Sequence, residues 1–390
     1  MPDSRVISGS FVLFFRFCAE VSHEGGHEEE EPERGEVTDA AARDGGTLDG
    51  AAATLRDAAD DGCVETPDAG DAGVDATAPL ACVGPPGLYI DGSCTTLADG
   101  VRPYRPRFPF WSDGSTKERF VYLPKGAPID VRDPDRWLYP VGTRVYKTFS
   151  RDGRRLETRL LEKVSDATGP DGWRMQAFAW REDQRSVELV DASGREDVLG
   201  TTHDIPSTDA CRACHSAAGQ DVLNGFSAIQ LNHADTDVSL RTLVDEERLD
   251  GELADDLPEL AVVPGDTVAQ AALGTLHTNC GICHGGPTPR AAMTLRLLVG
   301  ECEVSESALY ASAVGQPLQR WVDHARPDGT PYRQRIVPGR ARESAIVARM
   351  SVRGTRDQMP PLGTELIDEA GLAAVSRWID ALCAPEAAAH

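Results

Sequence analysis

The chain has little positive charge for its size. Its 390 residues include 39 Lys and Arg against 63 Asp and Glu, which gives a formal net charge of -24 at pH 7. Proteins that bind nucleic acid need clustered Lys and Arg to neutralise phosphates. No such cluster is seen in the sequence, so we expect no nucleic-acid partner. The length and the 41% hydrophobic content instead fit a globular protein of two or three domains.

A long hydrophobic run is also missing. The most apolar stretch near the N-terminus, residues 11–15, is interrupted by Arg16 and is too short to span a bilayer. It has little positive charge ahead of it. We interpret residues 1–22 as a degenerate export signal or as the product of a misassigned start. Cys18 is a candidate for a lipid membrane anchor, although the residues before it do not form a good lipidation signal.

Residues 23–80 lack large apolar side chains. This segment contains seventeen Asp and Glu against three Arg, which accounts for more than half of the net charge. A segment with almost nothing to bury cannot offset the entropy lost on folding, so we expect an acidic disordered linker that acts as a tether. The alternative is an electrostatic docking arm for a basic partner.

The most informative pattern that the chain does contain is Cys-x-x-Cys-His, which occurs at residues 211–215 and 280–284. In a helical turn this spacing puts both sulfurs on one face, where they can add to the two vinyl groups of a porphyrin. The adjacent histidine can then ligate the iron. The pattern therefore predicts two covalently bound c-type haems. The predicted attachment and proximal residues are Cys211, Cys214 and His215, and Cys280, Cys283 and His284.

Two other chemistries use paired cysteines. A zinc ribbon normally holds its two pairs about 15 to 20 residues apart, whereas more than sixty residues separate Cys214 from Cys280. A thioredoxin-like pair gives no reason for the trailing histidines. Both interpretations therefore rank below haem attachment.

Covalent haem attachment in bacteria takes place outside the cytoplasmic membrane, so the two motifs predict an exported protein. The other cysteines agree with that location. We therefore expect the chain in the periplasm or at the cell surface, where disulfides form. Cys82 is expected to pair with Cys94. Cys302 is expected to pair with Cys383, with buried free thiols as the alternative for this second pair.

Residues 81–200 have the alternation of a β-rich domain. Strands are predicted at residues 120–123, 144–149, 156–160, 173–180 and 186–190, with a hairpin turn at Asp152-Gly153. No catalytic constellation is seen there. The aromatic residues of this part are interpreted as core and haem-packing side chains: Phe108, Phe110, Trp111, Trp137 and Trp180.

The pattern becomes helical around the second motif. Asp266 is predicted to cap a helix that carries Val268, Leu273 and Leu276 into Cys280, and Asp368 to cap a terminal helix. The apolar stripe of the terminal helix is Leu372, Val375, Trp378, Ile379 and Leu382. Between the two helices, a Met-Pro-Pro loop at residues 359–361 is suited to hold a thioether over an iron.

In order, the helix, the second motif, the Met-Pro-Pro loop and the terminal helix with its tryptophan resemble a class I cytochrome c domain. This resemblance implies that His284 is the proximal ligand and Met359 the distal ligand, with Met350 and Met293 as alternatives. Together with the β-rich pattern before it, this predicts an α+β fold class: a β-rich domain at 81–200, a first haem-binding segment at 201–262 and a cytochrome c-like α domain at 263–386.

Over roughly residues 87–382 the chain also resembles a family of exported bacterial di-haem cytochromes. The resemblance rests on residues 108–114, 122–126, 204–207 and 276–279. It implies the architecture and the haem content more firmly than it implies any reaction. No second Met-Pro-Pro loop follows the first motif, so the distal ligand of its iron is sought among His277, His203 and His233. His277 is favoured, because its helix runs directly into the second motif, and His203 ranks next.

That distal ligand decides the predicted function. If both irons have six ligands, the protein transfers electrons to and from a redox partner protein, which the acidic surface predicts to be basic. An open first iron would allow a di-haem peroxidase, although no distal acid or base is identified. A surface-anchored binding protein with secondary haems is the third hypothesis. Electron transfer is favoured over an enzymatic role.

Overall fold

An antiparallel sheet forms where polar and apolar residues alternate. The computed structural model describes residues 81–215, 223–285 and 290–383. Six strands form the sheet in the order β1-β2-β4-β5-β6-β7, and β3 and β8 form a separate parallel pair. The strands are β1 Val101–Pro103, β2 Thr116–Tyr122, β3 Ile129–Asp130, β4 Arg144–Arg151, β5 Arg154–Lys163, β6 Trp173–Trp180, β7 Val187–Leu189 and β8 Leu249–Asp250.

All five predicted strands are present. The predicted hairpin joins β4 to β5, and both turn residues have positive φ, 50° at Asp152 and 76° at Gly153. Two left-handed residues give the turn a twist that matches the flanking strands, which explains the Asp-Gly pair. A register shift at Phe149/Ser150 interrupts the β4–β5 ladder beside this turn.

The sheet has two buried faces, because successive side chains of a strand point in opposite directions. On one face, Tyr146, Leu160 and Phe178 pack in a cluster with the segment before β1. On the other, Val145 and Leu161 join the main core, which the sheet shares with the helices. Residues of this second face line the cavity described below.

The described part of the chain contains eight α-helices that follow or flank the sheet, together with short 3-10 turns. The α-helices are α1 Thr208–His215, α2 Ala228–Leu231, α3 Leu240–Asp245, α4 Leu257–Leu260, α5 Thr267–Asn279, α6 Ala308–Ala313, α7 Ala345–Met350 and α8 Glu369–Ala381. The 3-10 turns are Gly169–Gly172, Val198–Gly200, Arg290–Ala292, Val304–Glu306 and Ala341–Glu343.

Both predicted helix caps are confirmed. Asp266 accepts a hydrogen bond from the Ala269 amide at 2.8 Å, and Asp368 accepts one from the Gly371 amide at 2.9 Å. The two capped helices, α5 and α8, pack against each other. One residue of the predicted apolar stripe of α5 is wrong: Val268 is 37% exposed, and the neighbouring Ala269 packs in the main core instead.

Of the two predicted disulfides, one is confirmed and one is wrong. The disulfide between Cys82 and Cys94 is confirmed, with a Cα–Cα distance of 5.7 Å. The predicted pairing of Cys302 with Cys383 is wrong. Cys302 is disulfide-bonded, whereas Cys383 is a free, exposed cysteine just beyond α8.

The fold class is α+β, as predicted, with a mostly antiparallel sheet and segregated helices. The described residues all belong to one compact unit, so the boundaries predicted near 200 and 262 stay predictions. The export signal predicted at 1–22, with Cys18, and the acidic linker predicted at 23–80 lie outside the described residues. Within the described ranges, no helix has the length and apolar character needed to cross a membrane.

Candidate functional site

One cavity of about 600 Å³ brings the two cysteine motifs together. Its wall includes residues 213–215 at the end of α1 and Cys280 with residues 282–284 just after α5. Ligand and cofactor cavities typically have volumes of roughly 300–1,000 Å³. Two motifs that are far apart in sequence therefore contribute to one site of cofactor size.

The first motif lies on a short, accessible helix. Cys211 and Cys214 are three residues apart in α1, so their side chains share a face, as predicted. No residue of α1 is fully buried. Partial burial raises the pKa of the Cys211 thiol, while the nearby Arg159 lowers it. Arg212, on the exposed side of the helix, pairs with Asp171 at 3.4 Å.

The second motif is built into the core. The amides of Cys280 and Gly281 donate to the Leu276 carbonyl at 3.0 and 2.9 Å, so the motif continues directly from α5. A Cβ at Gly281 would lie 2.4 Å from the His277 carbonyl oxygen, which explains the glycine. Burial and the neighbouring Cys283 raise the pKa of Cys280 to about 12. His284 is buried, with 8% exposure.

Three methionines line the same cavity: Met293, Met350 and Met359. The predicted Met-Pro-Pro loop is held by the chain on either side, because the Met359 amide donates to the Arg349 carbonyl at 2.9 Å. The Arg349 side chain in turn donates from Nε to the Asp357 carbonyl at 2.9 Å. The cavity therefore offers the predicted thioether and both of its alternatives.

The aromatic segment at residues 108–114 bonds to the end of α5, just before the second motif, and to the residues that follow the Met-Pro-Pro loop. The Trp111 amide donates to Asn279 Oδ1 at 2.9 Å, and its indole Nε1 donates to the Leu366 carbonyl at 3.0 Å. The Asp113 carboxylate accepts from the amides of Glu365 and Leu366 at 2.8 to 3.0 Å. Phe110 and Trp111 also line the cavity, and their role in haem packing stays a prediction.

No family model, no curated protein and no solved structure matches the chain. The chemistry of the cavity must therefore be judged from its own residues. The donor set fits a covalently attached haem: all four motif cysteines are free of disulfides, and both motif histidines and three thioethers line the cavity. Among the described residues, no group of three or more His, Cys, Asp or Glu side chains is arranged to hold a metal ion directly.

The three histidines considered for the first iron do not line this cavity, whose described wall contains only His215 and His284. Burial, with a contribution from Arg296, lowers the pKa of His277 to about 3, so its imidazole is neutral. Its Nδ1 accepts from the Leu297 amide at 3.0 Å, which puts the proton on Nε2. Iron ligation through Nε2 would require the other tautomer and would break that hydrogen bond.

The other two histidines also have protein partners. His203 is buried, and its Nε2 lies 3.0 Å from Oε1 of the fully buried Glu157. His233 Nε2 lies 2.8 Å from the Arg105 carbonyl oxygen. These contacts give each imidazole a structural role. The assignments of His277 and His203 to the first iron stay predictions without support from the geometry.

A set of basic residues in the cavity was missed from the sequence. Arg119, Lys147 and Arg159 all line it, from strands β2, β4 and β5. The available signal was the two-residue period, which puts Lys147 on the same face as Val145. Only the pairing of the strands brings the three charges side by side.

Proposed function

We propose that this protein is a di-haem c-type cytochrome that transfers electrons in the periplasm or at the cell surface. The observation that carries the proposal is the shared cavity, because both Cys-x-x-Cys-His motifs and three methionines line it. Haem, when bound, supplies one-electron redox chemistry. The chain supplies the attachment, the axial ligands and the surroundings of the iron.

The cysteine and histidine side chains have separate tasks. In each motif the two cysteines would hold the porphyrin covalently through thioether bonds. His215 and His284 would ligate the iron. Aromatic and aliphatic side chains such as Phe110, Trp111 and Leu295 line the cavity and limit access of water. A drier site makes nearby charges and dipoles count more in setting the potential.

We further propose that residues 263–386 form a class I cytochrome c-like domain. The packing of α5 on α8 and the burial of Trp378, at 3% exposure, support this assignment. His284 and Met359 line one cavity, as a proximal and distal pair would. A thioether opposite an imidazole raises the reduction potential relative to two imidazoles.

The partner that we propose is a basic redox protein. The net charge of -24 would steer such a protein toward the chain. Electrostatic steering is screened by salt, so electron exchange with a basic partner should slow as ionic strength rises. An acidic partner should show the opposite trend, which makes the salt dependence a direct test of the sign.

One observation favours a second candidate, a di-haem peroxidase. The described wall of the cavity provides no imidazole beyond the two proximal histidines. A first iron without a strong distal ligand could bind peroxide, while the second haem stored an electron.

Optical and EPR spectra of the oxidised and half-reduced protein, followed by addition of peroxide, separate the two functions. We expect two low-spin haems that do not react with peroxide. A high-spin haem that reacts with peroxide would replace electron transfer by peroxidase chemistry. Absence of covalent haem would contradict both functions.

A further inference from the structure

A row of three cations crosses the sheet face that lines the cavity. Arg119 of β2 is directly opposite Lys147 of β4, and Lys147 is directly opposite Arg159 of β5. All three side chains line the cavity. Like charges directly opposite each other on neighbouring strands destabilise a sheet. This arrangement therefore calls for negative charge close to the row.

The protein supplies only part of that charge. Glu157, on the same face of β5, is fully buried and bonds through Oε1 to Arg159 and to His203. No hydrogen bond joins it to Arg119 or Lys147 within the described residues. The carboxylate therefore bonds to one end of the row only. Its charge also acts on Lys147, but within the described residues no acidic group hydrogen-bonds to Arg119 or Lys147.

Arg119 and Lys147, to which no acidic group hydrogen-bonds within the described residues, also have few other hydrogen bonds there. Arg119 is only 5% exposed, and its buried Nη2 has no hydrogen-bond partner among the described residues. The Lys147 ammonium lies 4.5 Å from the ring centroid of Phe149 and 5.7 Å from that of Phe110. Burial, Arg119 and Arg159 together outweigh the opposing effect of Glu157 and lower the pKa of Lys147 well below its ordinary value. A bound anion would satisfy the guanidinium and relieve the repulsion.

We infer that Arg119, Lys147 and Arg159 form a carboxylate-binding site in the wall of the cavity. A guanidinium fork matches a carboxylate in geometry as well as in charge. Arg159 lies within electrostatic range of the sulfurs of Cys211 and Cys214, so the site is beside the first motif. The inference rests on the proposed function where it names the source of the carboxylate.

Two sources share this chemistry. A haem attached at the first motif carries two propionate carboxylates, and these are tethered within the same cavity. A free small carboxylate from solution is the other source. A tethered propionate would occupy the site at all times, whereas a free acid would bind with a concentration dependence that acetate can mimic.

Charge-removing variants test the site. Arg119→Gln and Lys147→Gln each remove one cation, and Arg119→Lys keeps the charge. Arg174→Gln is the matched control, because Arg174 is an exposed cation of β6 that lies outside the cavity and pairs with Glu162 at 3.6 Å. Intact mass gives the haem content, and spectroelectrochemistry gives both potentials. Lys147→Gln serves alone if Arg119→Gln does not fold.

We expect both glutamine variants to keep two covalent haems and to lower the potential of one haem. Loss of a nearby positive charge favours the oxidised iron, and a tenfold shift of the equilibrium corresponds to about 59 mV. Arg119→Lys should retain most of the potential, and Arg174→Gln all of it. If neither glutamine variant differs from Arg174→Gln in potential or in response to acetate, the site is overturned.

Acetate titration at constant ionic strength distinguishes the sources. Potentials that do not respond to acetate, together with the shift in the variants, identify a propionate. A saturable response that disappears in Arg119→Gln identifies a free carboxylate. If the intact mass shows no covalent haem, that measurement alone contradicts the proposed function. The site is then judged by acetate binding to the same proteins, which supports it if Arg119→Gln abolishes binding and overturns it otherwise.

Discussion

The two Cys-x-x-Cys-His motifs have the same local pattern but different surroundings. The second follows the 13-residue helix α5, which packs on α8, and its His284 is 8% exposed. The first occupies the 8-residue helix α1, which has no fully buried residue and lies beside the charged face of the sheet. The second motif is thus supported by helices and the first by a sheet.

The two surroundings affect haem attachment less than they affect the properties of the attached iron. Attachment needs only five consecutive residues in a helical turn, so both motifs can provide it. The potential and reactivity of an iron depend on its distal ligand, on nearby charge and on access of water. The second motif has a nearby thioether from a constrained loop, whereas the first has a row of cations. We therefore expect two haems with distinct properties.

The largest expected effect comes from removing the attachment cysteines. Cys280→Ser with Cys283→Ser should lose one haem, and Cys211→Ser with Cys214→Ser should lose the other. The second-motif variant should also lose more thermal stability, because Cys280 packs against the main core. Intact mass and thermal unfolding measure both effects. Cys383→Ser, which changes a free exposed thiol, is the control, and two haems retained in either double variant would refute the attachment.

Next in size is the effect of Met359 on one potential. Met359→Ala should lower the potential of the second haem by more than about 59 mV, a tenfold change in the equilibrium constant, and should leave the first haem unchanged. Met175→Ala, at a methionine of β6 outside the cavity, is the control. A fall produced by Met350→Ala or Met293→Ala instead would move the distal assignment to that residue.

Glu157 tests the region of the first motif. Burial opposes its ionisation, but Arg159 and His203 outweigh burial and hold the pKa of Glu157 below its ordinary 4.5. Its ionised form therefore stabilises the fold above pH 4.5, and this stabilisation is lost as the pH falls through the lowered pKa. Glu157→Gln should cost about 3 kcal/mol at neutral pH, since breaking a buried ion pair leaves a charge uncompensated.

Urea unfolding of Glu157→Gln at pH 7 and at pH 3.5 measures both the loss and its pH dependence. The wild-type advantage should shrink at the lower pH. Glu162→Gln is the matched control, because Glu162 pairs more loosely with the exposed Arg174 and should cost less than about 1 kcal/mol. Equal losses in the two variants would contradict the buried pair.

The smallest expected effect tests the packing near the second motif. A Cβ at Gly274 of α5 would lie 2.1 to 2.5 Å from ring atoms of Phe108. Gly274→Ala should therefore destabilise the fold by about 1–3 kcal/mol through overpacking, although alanine favours helices. Ala271→Ser, at an exposed position of the same helix, should change stability by less than about 0.5 kcal/mol. Stabilisation by Gly274→Ala would show that Phe108 can move aside.

Much of this molecule follows from local sequence. Strand alternation, the Asp152-Gly153 turn and the caps at Asp266 and Asp368 depend on neighbouring residues, and the structure contains each of them. The shared cavity could not be predicted, because it depends on how α1 and α5 approach the sheet. The cation row has the same origin, since β2, β4 and β5 must first pair in register.

The errors have tertiary causes as well. A disulfide between Cys302 and Cys383 is expected to tie a loop to the last helix, but Cys383 is exposed beyond α8. His277 was favoured because its helix leads into the second motif. Its Nδ1 is instead used by the Leu297 amide, a partner twenty residues away. Spacing predicts which residues can act, and packing decides which are available.

The intact mass of the denatured protein, produced with a bacterial haem-attachment system, tests the central claim most directly. Thioether-linked haem survives denaturation, so the mass counts the attached cofactors. We predict the mass of the exported chain plus two haems. A mass equal to the chain alone, or to the chain with one haem, would contradict a di-haem protein in which both motifs serve one cavity.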